Sequence, residues 1–225
     1  MILLSEKPHR VIQGEGNFIG KKMLLFRVAG CDIYCKDCDS AHTWNINNVD
    51  SVSVEDLKDF IYIERSKQYF DFVMITGGAP SIYMDDIYRL VNMSKDINFQ
   101  IEDAGNKSWD KFKHIDNVYF SFSPKIGSLE GLTTIKDWHA FDSIYRNFIC
   151  KVVVSIDNWE HDLKSIKDFQ DRYSIPSNKI YLMPFGINED SIIKGSQFII
   201  DKCFEYDFNF STRLHILLYG NKKLV

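Results

Sequence analysis

Cys31, Cys35 and Cys38 lie on one short polar loop, separated by three and then two residues. The loop follows the apolar run Met23-Leu24-Leu25-Phe26-Arg27-Val28-Ala29-Gly30, which reads as a buried strand. Three thiolates leaving a strand end can bind three irons of a four-iron, four-sulfur cluster and leave the fourth iron open to a small molecule. A cluster that only carries electrons normally takes four cysteines. By analogy with zinc sites, closed coordination is structural and an open position is chemical. Zinc is the rival: His42 lies four residues beyond Cys38, so Cys31, Cys35, Cys38 and His42 also spell a Cys3His site. Three thiols on a polar loop are badly placed to be core residues. Cys150, in a strand-like run, and Cys203, on a helical pattern, read as small core residues.

Other strand ends carry polar or glycine-rich punctuation. Thr76-Gly77-Gly78-Ala79-Pro80 lets a ligand approach the main chain, and read alone it is equally a plain strand-to-helix turn. Ser123-Pro124-Lys125 puts a hydroxyl and an ammonium at a second strand end, where an exposed turn lysine is the alternative. Gln13-Gly14-Glu15-Gly16 sets an amide and a carboxylate on a flexible glycine loop before the strand. Arg27 is a guanidinium inside an apolar run, so it must meet an anion or face a cavity. A carboxylate clamp is favoured over an internal ion pair.

The elements that must position these residues follow from periodicity. Ser53 caps a helix with Glu55 and Asp56 in its first turn. Strands are expected at Phe72–Thr76, Phe99–Glu102, Val118–Ser123, Ile149–Val154 and Ile180–Met183. Helices are expected around Ile87–Val91, at Trp138–Phe148, at Asn158–Tyr173 and at Glu189–Tyr206, and a last strand at Leu214–Tyr219. Strand and helix alternate, so the fold class is α/β, a mainly parallel sheet with crossover helices. In barrel-like α/β folds the C-terminal strand ends form one face, where chemistry gathers.

At 225 residues, with 45% apolar and 14% aromatic, the chain (1–225) is expected to form a single domain. A formal charge of −4 with no basic stripe argues against nucleic acid as a partner. No run reaches membrane-span length, and Ser5-Glu6-Lys7-Pro8-His9-Arg10 is unlike a secretory signal, so a reducing cytoplasmic location is expected.

Together the motifs resemble the radical S-adenosylmethionine (SAM) superfamily, whose signature is this cysteine spacing. Within it the chain is similar to the 7-carboxy-7-deazaguanine synthase family, ring-contracting enzymes of the deazapurine (queuosine-type) pathway. The resemblance rests on Ile12–Gly16, Phe26–Cys31, Cys38-Asp39-Ser40, Thr76-Gly77-Gly78, Ser121–Lys125, Leu182-Met183-Pro184 and Arg213-Leu214-His215. It implies a partial, incomplete TIM-like barrel around a radical SAM core. Cys31, Cys35 and Cys38 would hold the 4Fe-4S cluster, and Ser40 a Mg²⁺ ion. SAM would meet Asp37, Asp39, Gly77, Gly78, Ser121, Ser123 and Lys125. The pterin substrate would meet Ile12, Gln13, Gly14, Glu15, Arg27 and Thr76, with Gln13 and Glu15 on its amide-like edge and Arg27 on its carboxylate. Glu15, Arg27 and His215 are the catalytic candidates; on sequence alone His215 is equally a core histidine.

The implied reaction starts with an electron from an external, flavodoxin-like donor. Reductive cleavage of SAM gives a radical that takes a hydrogen from 6-carboxy-5,6,7,8-tetrahydropterin. The ring contracts with loss of ammonia, and the hydrogen returns to the cofactor. The family also implies a homodimer. Two alternatives are a glycyl-radical-enzyme activase and a non-catalytic zinc-binding regulator. One departure stands out: the superfamily loop Gly-Gly-Glu-Pro is Gly77-Gly78-Ala79-Pro80 here. A charged hydrogen bond is worth about 1.5–3 kcal/mol, so the missing glutamate lowers SAM affinity by about ten- to a hundredfold.

Overall fold

A computed structural model describes residues 1–36, 38–127, 138 and 147–220. The chain opens with β1 (Ile2–Leu4), β2 (His9–Ile12), β3 (Lys22–Val28) and β4 (Asp50–Val52). There follow α1 (Val54–Lys67), β5 (Phe72–Gly77), α2 (Met84–Asn92), β6 (Phe99–Asp103), β7 (Val118–Phe122) and β8 (Phe148–Val154). The last elements are α3 (Trp159–Tyr173), β9 (Ile180–Pro184), α4 (Glu189–Tyr206), β10 (Asn209–Phe210) and α5 (Leu214–Tyr219).

Strands β3, β5, β6, β7, β8, β9 and β10 pair in that order, and every pair is parallel. Beyond β3 the sheet turns antiparallel. β2 lies along the first half of β3, while β1 meets it at Leu4 opposite Val28 and pairs with β4 on its other side. The expected mainly parallel α/β sheet is therefore present, edged by a small antiparallel region that periodicity had read only as an N-terminal loop. Strands of three or four residues are too short to show a period.

The two sheet faces differ in chemistry because side chains alternate along a strand. Leu24, Phe26, Val73, Ile75, Phe99, Ile101, Phe120, Cys150, Val152 and Leu182 point to one face. There they share a core with Leu57 and Ile61 of α1, Ile87 and Leu90 of α2, Ile166 of α3 and Ile199 of α4. Burying each such side chain contributes about 1.5–3 kcal/mol, so this face holds the fold together. The intervening residues face the other way. Met23, Leu25, Phe72 and Met74 form a small second apolar cluster there. One layer nearer the C-terminal strand ends, the same face turns polar, with Arg27, Thr76, Glu102, Ser121 and Lys151.

The helices start where their caps predict. Ser53 Oγ accepts from Asp56 N at 3.0 Å, and Asn188 Oδ1 accepts from Ser191 N at 2.9 Å with Ser191 Oγ returning the bond. Two expectations need correction or setting aside. Leu214–Tyr219 is helix, not strand: Ile216 N and Leu217 N donate to Arg213 O, and Gly220 N to Ile216 O. The edge of β9 is already taken by β10, and a short apolar run does not reveal its period. The helix expected at Trp138–Phe148 falls mostly outside the described residues; Trp138 itself lies in no helix, and Phe148 begins β8.

Candidate active site

The C-terminal end of β3 places the cysteine loop. Gly30 N donates to Thr43 O at 2.7 Å, and Gly30 O accepts from Ala79 N at 2.8 Å, so the loops after β3 and β5 are tied together. The approach is so close that a Cβ on Gly78 would lie 1.8 Å from Gly30 O. Only glycine fits there. Cys31, Cys35 and Cys38 are half-buried thiols outside any disulfide, with Ile33 N 3.5 Å from Cys31 Sγ and Cys38 N donating to Cys35 O. Burial pushes the Cys38 thiol up, partly offset by a backbone bond near Ser40. Among the described residues no three His, Cys, Asp or Glu side chains are gathered as ligands of a single ion. The donor set suits a cluster, in which each thiolate meets its own iron.

Next to this loop the polar layer closes into a network. Gln13, only 4% exposed, donates from Nε2 to Gln100 Oε1 at 2.7 Å and to Glu102 Oε1 at 3.1 Å. Thr76 Oγ1 is 3.3 Å from Glu102 Oε2. Lys151, 3% exposed, donates to Glu15 Oε2 at 2.8 Å and Glu102 Oε1 at 3.1 Å. Arg213 reaches Glu15 Oε1 with Nε at 3.3 Å and Gly186 O with Nη1 at 2.9 Å, and its Nη2 pairs with Asp39. His215 Nε2 lies 3.8 Å from Glu15 Oε1.

The Gln13–Gly16 segment is thus no free loop. Gly16 N donates to Ser211 Oγ at 2.8 Å and Gly14 O accepts from Leu214 N at 2.9 Å, so the C-terminal segment clamps it. Burial alone would raise the Glu15 carboxyl; the Lys151, Arg213 and His215 charges overcome it and hold Glu15 far below the usual carboxylate range. Burial works against the Lys151 ammonium as well, yet Glu102 and Glu15 hold its pKa above the ordinary value. Burial keeps His215 below its ordinary value, against the pull of Glu15.

The other expected site residues are distributed as follows. Arg27 Nε pairs with Glu6 Oε1 at 2.9 Å, so in this structure it has the internal ion pair that the sequence reading had ranked second. Lys125 Nζ is 3.1 Å from Ser123 Oγ. Ser40 Oγ donates to exposed Asp39 at 3.1 Å, giving adjacent hard oxygen donors of the kind Mg²⁺ takes. Ile12 is exposed on β2. Asp37 lies outside the described residues. Ser121 Oγ is buried without a hydrogen-bond partner and points towards Gly16, as a group waiting for a ligand would. Sequence reasoning missed Lys151, Glu102 and Arg213 as site members. The available signal was a charged residue inside the apolar run Ile149–Val154, the same signal that singled out Arg27.

Residues 12–113 match the family described as a 4Fe-4S single cluster domain. The 7-carboxy-7-deazaguanine synthase of Bacillus cereus is 29% identical over 94% of both chains. That of Buchnera aphidicola is 27% identical over 92% of this chain and 93% of its own. The crystal structure of QueE from Escherichia coli superposes with a TM-score of 0.70 at 22% identity, covering 95% of this chain and 94% of the other, and so shares its fold. With the three-cysteine loop and the fold in agreement, the chain is similar to the 7-carboxy-7-deazaguanine synthases over nearly its whole length.

Proposed function

We propose that the protein catalyses the Mg²⁺-assisted ring contraction of 6-carboxy-5,6,7,8-tetrahydropterin to 7-carboxy-7-deazaguanine, with ammonia as co-product. The observation that carries this reading is the largely buried polar network of Gln13, Glu15, Glu102 and Arg213, joined to the cysteine loop through Asp39. A glycyl-radical activase acts on a protein backbone and has no use for a charge-balanced internal polar network of this kind. Zinc in the cysteine loop would leave that network without a purpose.

When bound, the cluster and SAM supply the radical chemistry; the chain supplies binding, orientation and exclusion of water. Cys31, Cys35 and Cys38 hold the cluster. Asp39, Gly77, Gly78, Ser121, Ser123 and Lys125, with Asp37 by sequence position, would hold SAM, and the unpartnered Ser121 hydroxyl would gain a bond to it. Gln13 and Glu15 read the N–H edge of the heterocycle, and Thr76 packs beside it. Glu6 orients the Arg27 guanidinium through Nε, so its remaining edge faces the substrate carboxylate. Ser40 would supply an oxygen ligand to Mg²⁺, which would act as a Lewis acid towards the substrate. His215, kept neutral by burial, exchanges a proton at Nε2. The working enzyme is a cytoplasmic homodimer reduced by a flavodoxin-like donor.

An anaerobic assay tests this: reconstituted protein with the tetrahydropterin, SAM, reductant and Mg²⁺, with the product read by mass spectrometry. The expected product is the carboxydeazaguanine, lost in Cys35→Ala. Turnover by Cys35→Ala at the wild-type rate, or no product from a preparation with a full cluster, overturns the assignment.

A further inference from the structure

Lys151 is a buried charge to which that reading gives no task. Its ammonium sits on β8 between two carboxylates from distant parts of the chain, 2.8 Å from Glu15 Oε2 and 3.1 Å from Glu102 Oε1. Glu15 also faces Arg213 and His215; Glu102 also accepts from Gln13 and Thr76. Arg213 extends to Asp39, whose side chain is 62% exposed and therefore largely answered by water. Within the enclosed part of the pocket, two carboxylates stand against two cations. His215 adds no charge while it stays neutral.

We infer that Lys151 is the specificity-determining residue of this pocket: by bridging Glu15 and Glu102 it cancels their charge and fixes their remaining lone pairs, so that the pocket selects a heterocycle with an uncharged, N–H-rich edge over one bearing a cation. The inference deepens the proposed function and rests on it. An ionised carboxylate offers about four acceptor positions, and Lys151 and Arg213 occupy only part of those on Glu15. Acceptors therefore remain for an amino-pyrimidinone edge. Without the ammonium the same site holds an excess negative charge away from water, where a cation gains most.

The test is equilibrium binding to the reconstituted protein with SAM, using two probes that do not turn over: 6-carboxypterin and 2,4-diaminopteridine-6-carboxylate, which keeps the carboxylate but presents a protonatable, cationic amidine edge. Lys151→Met should weaken 6-carboxypterin by about a hundredfold, as truncating one partner of a buried charge pair does, and move the ratio of the two affinities at least tenfold towards the cation. Lys151→Met/Glu102→Gln, which restores the charge balance, should return the ratio to within about threefold of wild type. A merely structural lysine would lower both affinities together and leave their ratio alone. Should Lys151→Met fail to fold, Glu102→Gln alone carries the test, because it leaves positive charge in excess and should move the ratio away from the cation. An unchanged ratio in the variants of a protein that binds 6-carboxypterin overturns the role of Lys151 only. Absence of 6-carboxypterin binding in the wild type overturns the proposed function and this inference together.

Discussion

Replacing Gly78 with alanine puts a methyl carbon 1.8 Å from the Gly30 carbonyl oxygen and 2.6 Å from its carbon. Both neighbours are backbone, so no side chain can swing aside. The loops after β3 and β5 must separate by about 1.2 Å before the contact reaches 3.0 Å, the lower limit that real side chains tolerate. That movement breaks the 2.8 Å bond from Ala79 N to Gly30 O and strains the 2.9 Å bond from Gly78 N to Val28 O. Overpacking costs about 1–3 kcal/mol and each lost bond about 0.5–1.5 kcal/mol, giving roughly 2–6 kcal/mol in all. In a chain of this size each kcal/mol lowers Tm by about 2–4 °C, so a fall of roughly 5–20 °C is expected. Because Gly30 adjoins Cys31, the same displacement misplaces the first thiol, and iron and sulfide after anaerobic reconstitution should fall below about half of the wild-type content. Thermal scanning and metal analysis of Gly78→Ala check both. A Tm within 2 °C of wild type with full iron would refute the argument that this close approach positions the cluster loop.

Ser53→Ala removes the α1 cap, in which Ser53 Oγ accepts from Asp56 N at 3.0 Å, and should cost about 1 kcal/mol in denaturant melts. In the cluster-free protein at pH 8, alkylation followed by mass mapping should label the loop cysteines Cys31 and Cys35 before Cys150 and Cys203. Burial pushes the Cys203 thiol up to about 11 and Cys150 higher still, so early labelling of Cys150 would contradict its place in the core. His215 should titrate below about 6.5 by NMR. The imidazole is neutral in the fold while the unfolded chain protonates near 6.5, so its contribution to stability is full above that pH and is lost as pH falls through the folded value. A folded pKa above 6.5 would mean that Glu15 dominates over burial.

Much of the scaffold was legible because its elements are long or clearly capped. The period of β3 and β5 to β9, the Ser53 cap and the full span of α4 are local properties. The site was legible where chemistry is concentrated in sequence, as in three thiols on one loop, and where a residue clashes with its surroundings, as Arg27 does. Lys151 makes the same clash but sits in a strand otherwise filled by Ile149, Cys150 and Val152–Val154. The strand itself was legible, but not that its alternation sends Lys151 to the polar network and Cys150 to the core. Gln13 and Glu15 looked like loop residues because their burial comes from Ser211 and Arg213. No window of sequence contains that contact. The helix at Leu214–Tyr219 was misread for a related reason, since what excludes a strand there is the presence of β10 beside β9.

The clamp of the Gln13–Gly16 segment by residues 211–214 has a bearing on the life of the chain during its synthesis. Glu15 and Arg213 are separated by 198 positions, so the first half of the ion network waits for almost all of the polypeptide to be made. The thiol loop, by contrast, rests on β3, β5 and the segment to Ala79, with Asp32 also held by Lys107 at 2.9 Å, so these supports all lie in the amino-terminal half. Metal capture can thus precede substrate recognition in time, and a polypeptide interrupted before Arg213 would carry a loop able to collect iron but no pocket in which to direct its reactivity.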